Sequence, residues 1–264
     1  MPTKFLVALS LTLIIPAGAA GAQTVPAWAV GAARYRTTVV SEITQEAMGE
    51  SQSMTNTTFR EATFTVSKAA QGLDVSVRLD TASVTSAQGG TSSSANLKGL
   101  TYKATTQPGG YPITATVTDA GGAESKLPIA ASLRAFIPRL KPGATRGQSW
   151  VDTVAVVTEE NGIVITTTTA TRFTYAGDTI VGGARVLAIA IAADGKAKGG
   201  GDTPNGKASL DGTVTTVGHA WVTPAGQLVG VESKATIART IAIEEQNVTA
   251  SINQKQTLST SRIP

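Results

Sequence analysis

The sequence predicts an all-β protein: a long-stranded, curved antiparallel sheet or half-barrel, with one short helix packed on its concave face. Three observations carry this. Thr, Val, Ile and Ser dominate the chain, and these side chains suit a pleated, half-buried surface. The stretch GLDVSVRLD alternates without a fault: Leu73, Val75, Val77 and Leu79 on one side, Asp74, Ser76, Arg78 and Asp80 on the other. Strict alternation means a sheet dry on one face and wet on the other. Helical spacing occurs once, near mid-chain.

The chain opens MPTKFLVALSLTLIIPAGAAGAQ. Lys4 gives a short positive start, and Phe5 to Ile15 form an apolar run. Pro16 and Gly18 break that run, and Ala20-Gly21-Ala22 is a small-residue cleavage box. Such a run is too short to span a bilayer as a helix. Residues 1–22 are therefore expected to be a signal peptide cut after Ala22, and the protein is expected to be exported, to the periplasm or the extracellular space. With no cysteine, lipid attachment at the cleavage point, disulfides and thiolate metal sites all fall away. Residues 23–264 are expected to form a single β-rich domain with no membrane span, a subdivision near 140 being left open.

Residues 23–32 read as a lead-in, with Trp28 a plug on the core. Tyr35, Val39 and Ile43 share one parity of the first strand; Ala62, Phe64 and Val66 share one parity of the next. Residues 86–96 are small and polar, a loop. Leu100–Ala104 and Tyr111–Val117 pair through Pro108-Gly109-Gly110. In ESKLPIAASLRAFIP, Ile129, Leu133, Phe136 and Ile137 recur at three- and four-residue spacing between Pro128 and Pro138, which predicts a helix over 127–137. Strands resume at Trp150. Ile163, Ile165, Phe173 and Tyr175 share a parity across a threonine run. Val181 to Ala192 is apolar on both faces, with Leu187, Ile189 and Ile191 on one and Ala184, Ala188, Ala190 and Ala192 on the other, so a close-packed neighbour is expected on the alanine side. Residues 195–206 read as a long glycine-rich tip. Three more long runs follow, making ten or eleven strands.

The only histidine, His219, lies in GHAWVTPAGQLVGVE. Thr223-Pro224-Ala225-Gly226 suits a type I turn with a glycine bulge. That loop sets Trp221 opposite Val229 and His219 opposite Val231, so both are expected on the apolar face, with Glu232 on the other. A histidine base needs a nucleophile or an orienting acid; none is in reach, and no catalytic residue is assigned. Gly201–Lys207 imitates the start of a phosphate-binding loop, but Ala208 stands where magnesium needs a hydroxyl. One histidine and scattered carboxylates assign no metal and no cofactor. Twenty-two basic against 18 acidic residues, a formal +4, lie singly rather than in a stripe, which argues against nucleic acid. Aromatics at 5% are too few for the girdles of a membrane barrel.

Two segments carry a resemblance. KPGATRGQSWVDT, with Pro142-Gly143, Gly147 and Trp150, and GHAWVTPAGQLVGVE, with Trp221 and Gly226, are similar to motifs of exported bacterial β-rich proteins. The order of long strands around a mid-chain helix resembles the half-barrels of Lol-type periplasmic lipoprotein and lipid carriers. The resemblance implies a lipid or other apolar small molecule as partner but carries over no ligand residue; a curved sheet capped by the 127–137 helix is itself expected to enclose an apolar cavity lined by Trp150, Leu187, Ile189, Trp221, Leu133 and Phe136. The competing expectation is a structural or interaction protein of the cell envelope whose core is filled. Both are non-enzymatic.

Overall fold

In the computed structural model, residues 23–87, 91–93, 97–124, 133, 136–160, 162–204 and 206–264 are described. The β-branched runs form strands of up to 20 residues, β1 (Gly31–Ala47), β2 (Glu50–Ala69), β3 (Gly72–Ser86), β4 (Thr91–Ser93), β5 (Thr101–Thr106), β6 (Pro112–Thr118), β7 (Ser149–Glu160), β8 (Ile163–Val181), β9 (Ala184–Thr203), β10 (Gly206–Val222), β11 (Leu228–Ile243) and β12 (Val248–Ile263). Eleven lie in one antiparallel path, β6-β5-β3-β2-β1-β12-β11-β10-β9-β8-β7, and the short β4 pairs with β3. The chain thus starts at the centre of the sheet and meanders outward to the β6 edge. It then crosses to the opposite edge, β7, and meanders back, so that the first and last strands pair from Arg34↔Ile263 to Ala47↔Ala250.

The sheet is curled into a half-barrel. Arg239 on β11 and Glu160 on β7 make an ion pair at 3.5 Å, although β8, β9 and β10 lie between their strands. Four strand spacings of about 4.8 Å would hold them roughly 19 Å apart in a flat sheet. The concave side of β9 explains how the sheet bends there. Paired across from inward residues of β10, it carries Ala193, Gly195, Ala197, Gly199 and Gly201. A methyl group added at Gly201 would lie 2.0 Å from the carbonyl oxygen of Gly162, and one at Gly199 2.8 Å from that of Val164. Only glycine lets the backbones close so tightly.

This corrects the expected tip at 195–206. Residues up to Thr203 are strand, and β10 starts at Gly206. The alanine side of β9 is corrected too: Ala188 and Ala190 face the convex side half-exposed and Ala192 is exposed, so no close-packed layer covers that face. The expected 86–96 loop contains β4. A helix over 127–137 is not shown; residues 125–132 and 134–135 lie outside the described ones, as do residues 1–22. Of that stretch Leu133 and Ile137 are buried at 3%.

The main core occupies one end of the concave face, with Phe64, Val75, Val77, Leu79, Tyr102, Phe173, Leu187 and Ile189 beneath Val25, Trp28, Leu133, Ile137 and Leu140. A smaller cluster of Ile163, Ile165, Ala197, Ala208 and Leu210 lies at the far end of β8–β10, against Ile241 and Ile243.

Candidate functional site

Five of the six expected lining residues meet in the main core. Leu187 and Ile189, neighbours on β9, are fully buried. Trp150, first inward residue of β7, stacks on Phe173 at 6.1 Å and 18°, and its indole N–H donates to the Arg139 carbonyl at 2.9 Å. Leu133 is buried; Phe136 packs edge-on against Tyr35 at 5.6 Å and Phe64 at 6.2 Å.

Trp221 is elsewhere. The turn forms as its residues require: Gly226 has φ 84°, its N–H donates to the Thr223 carbonyl, and the Thr223 N–H donates to Gln227. Val222 then pairs with Leu228. A second bulge follows at once, and Trp221 pairs with Gly230 rather than Val229. A one-residue slip sends every later side chain to the other face. Ala220 and Val222 point inward, fully buried; Trp221 lies half-exposed on the convex side and His219 is exposed there, directly opposite Glu232. Both the apolar-face assignment and the separation of His219 from Glu232 are corrected by this bulge.

The concave core is roofed by two segments outside the sheet. The lead-in is held by backbone hydrogen bonds, Val25 N–H to Ala144, Trp28 N–H to Pro108 and Ala29 N–H to Gly226, while Gly143 donates back to Val25. Trp28 plugs the core as expected, 3% exposed and edge-on to Phe64 at 5.7 Å. Its indole N–H is buried without a hydrogen-bond partner, above Gly110, where an added methyl would come within 2.7 Å of it. The second roof is 136–144. There Arg139, 5% exposed, pairs with Asp152 at 2.9 Å and donates to the Ile137 carbonyl. Arg139 escaped the sequence reading, although a lone arginine inside the apolar IPRL, with Asp152 two residues after the tryptophan it touches, was the available signal.

The core ends at a polar belt. Thr37 and Thr260, paired across β1 and β12, are buried and joined at 2.9 Å between hydroxyls. Arg60, opposite Thr37 on β2, has its pKa lowered by burial. Tyr35 donates to the Leu228 carbonyl at 2.7 Å, and burial pushes its pKa up to about 12, against a smaller opposing pull from Arg262. Tyr175 is also raised to about 12, first by burial and then by its hydrogen bond to Asp178. That bond and Arg185 hold the Asp178 carboxyl below its ordinary value. Two open grooves, of about 310 and 470 Å³, lie among convex-face residues such as Thr65, Ser76 and Lys103, and Lys196, Asp211 and Asn253. Among the described residues, no three of His, Cys, Asp and Glu gather closely enough for a metal ion.

No family model and no curated protein matches the sequence. Among solved structures, the chain is similar to Salmonella typhi OmpF in complex with daunomycin, at 8% identity over 88% of this chain and 97% of that one, with a TM-score of 0.28. It is also similar to a loop-deletion mutant of OmpT, an outer membrane protein of Vibrio cholerae, at 8% identity over 88% and 99%, with a TM-score of 0.21. The chain's own convex face is charged: Glu42, Lys255, Lys234, Glu232, Asp211, Lys196 and Asp194 all stand exposed on five central strands. On a lipid-facing surface, basic groups like these lysines cost about 2–4 kcal/mol each at mid-bilayer, and the acidic ones less.

Proposed function

We propose that this chain is a non-enzymatic, exported protein of the cell envelope that works as a scaffold or interaction module with a filled core. The observation that carries the reading is the double roof. Val25 and Trp28 from the lead-in, with Leu133, Ile137 and Leu140, occupy the space a guest would need above Leu187 and Ile189. The export half of the proposal rests on the leader-like first 22 residues.

A second reading has one specific observation in its favour. The roof is made of loop segments rather than strands, and Trp28 leaves a buried N–H without a partner. Such a group costs about 1–3 kcal/mol, so this plug is the less firmly held part of the core. On this reading a lipid or other apolar small molecule enters by displacing it and rests against Trp150, Leu187, Ile189, Leu133 and Phe136, which meet in the main core. Mass spectrometry of denatured protein, purified from its own host, separates the two. No lipid, together with no uptake of an apolar dye, is expected; a stoichiometric lipid would replace the scaffold by the carrier.

A further inference from the structure

The half-barrel is open between β6 and β7, and the two edges differ. β6 has seven residues and starts with Pro112, which donates no hydrogen bond. β7 has 12 residues, SWVDTVAVVTEE, with no proline, no lysine and no register shift against β8; its three carboxylates are Asp152, paired with Arg139, and Glu159-Glu160 at its far end, which leaves Thr153–Thr158 uncharged. Among the described residues no strand pairs with its outer side. Its convex valines, Val151 and Val157, are 54% and 53% exposed. Proteins ordinarily blunt such an edge with charge, proline or a bulge, because a long β-branched edge recruits another strand.

The geometry points to a second copy of this chain as the occupant, with β7 paired antiparallel to β7 about a two-fold axis at Val154. The pattern is its own complement. Val151 and Val157 stand three residues either side of Val154, so in this register each exposed valine lies opposite the other on the same face. Every charge meets a neutral residue: Asp152 faces Val156, Glu159 faces Ser149 and Glu160 faces Gln148. No other even register both pairs the two valines and keeps the acids apart. A two-fold pairing of this kind closes on itself as a dimer and continues one sheet through both molecules. It requires neither an empty nor an occupied core, so it goes beyond the function proposed above.

Light scattering after gel filtration should give twice the monomer mass. Val157→Lys, at an exposed position where the fold is not at stake, should raise the dissociation constant by roughly tenfold to 100-fold. The chain has no cysteine of its own, which permits a register test that needs no weakened variant. Opposed Cα atoms lie about 4.5–5.5 Å apart, within disulfide reach. Val154→Cys should cross-link to itself on mild oxidation and Thr153→Cys should not. Val151→Cys and Val157→Cys should each stay single alone and join when mixed. Monomer mass at every concentration, or a dimer indifferent to Val157→Lys that cross-links at Thr153 rather than Val154, would overturn the proposal.

Discussion

Tyr35 shows how much one side chain does when a sheet curls. Its ring packs with Phe64 and Phe136, and its hydroxyl reaches from β1 across β12 to the start of β11. The raised pKa is the thermodynamic mark of that burial, because ionisation would strand a charge in the core. For Tyr35 and Tyr175 the folded value is about 12 against an ordinary 10.0. A group whose folded pKa is raised gives stability that is complete below the unfolded pKa and lost as pH climbs through the folded one. Resistance to urea should therefore hold up to about pH 10 and fall between pH 10 and 12, by up to about 2–3 kcal/mol for Tyr35 and by less for Tyr175, whose hydroxyl lies beside the exposed Arg185–Asp178 ion pair. Tyr35→Phe should be about 1–2 kcal/mol less stable at pH 8 and show a shallower alkaline decline. An unchanged slope in that variant would mean the phenol is solvated.

The β10–β11 hairpin sets face by register. Its turn chemistry was legible, since Pro224 is fixed at the φ a first turn position needs and Gly226 alone tolerates the left-handed position that follows. The second bulge was harder to see, because Val229 and Val231 keep the alternation unbroken on either side of it. Gly230 had one hint to offer. Opposite a tryptophan, a residue without a side chain leaves room for the ring, and Trp221 lies 3.7 Å from where a Gly230 methyl would be. The observed register makes adjacent positions unequal. His219→Gln should change stability by less than about 0.5 kcal/mol, whereas Ala220→Gln, forcing an amide into the packed side, should cost about 3 kcal/mol or more. Chemical denaturation of the pair checks this, and the reverse order would restore the single-bulge hairpin. In β9 the glycines of KAKGGGDT suggested a loose tip, yet their lack of side chains is what allows the strand to bend under its neighbours.

The whole molecule is a meander joined at its ends and open between β6 and β7, with its concave face roofed by segments from two distant parts of the chain. Val25 ties them together through its bonds with Gly143 and Ala144, while Trp28 fills the core and the backbone there bonds to the turn at Pro108 and the hairpin tip at Gly226. Trp28→Ala should destabilise the protein by about 3–5 kcal/mol, read from a urea transition. If the core is filled by its own roof, the variant should also take up an apolar dye that the parent chain refuses. A parent chain that already binds the dye would favour the carrier reading instead.

Alternation and turn residues alone established most of the strands and the dry faces of those without a bulge, because period-two burial is a local property written residue by residue. Leu73–Leu79 and Leu187–Ile191 were legible for that reason, and the plug at Trp28 because a lone large aromatic in a lead-in seeks the core. Which edges stay open, how tightly β9 bends, where Trp221 points and what covers the concave face are not local. They depend on a bulge that shifts register by one, on glycines that bring backbones together, and on the pairing of β1 with β12 across the full length of the chain. Only the packed molecule weighs those against each other.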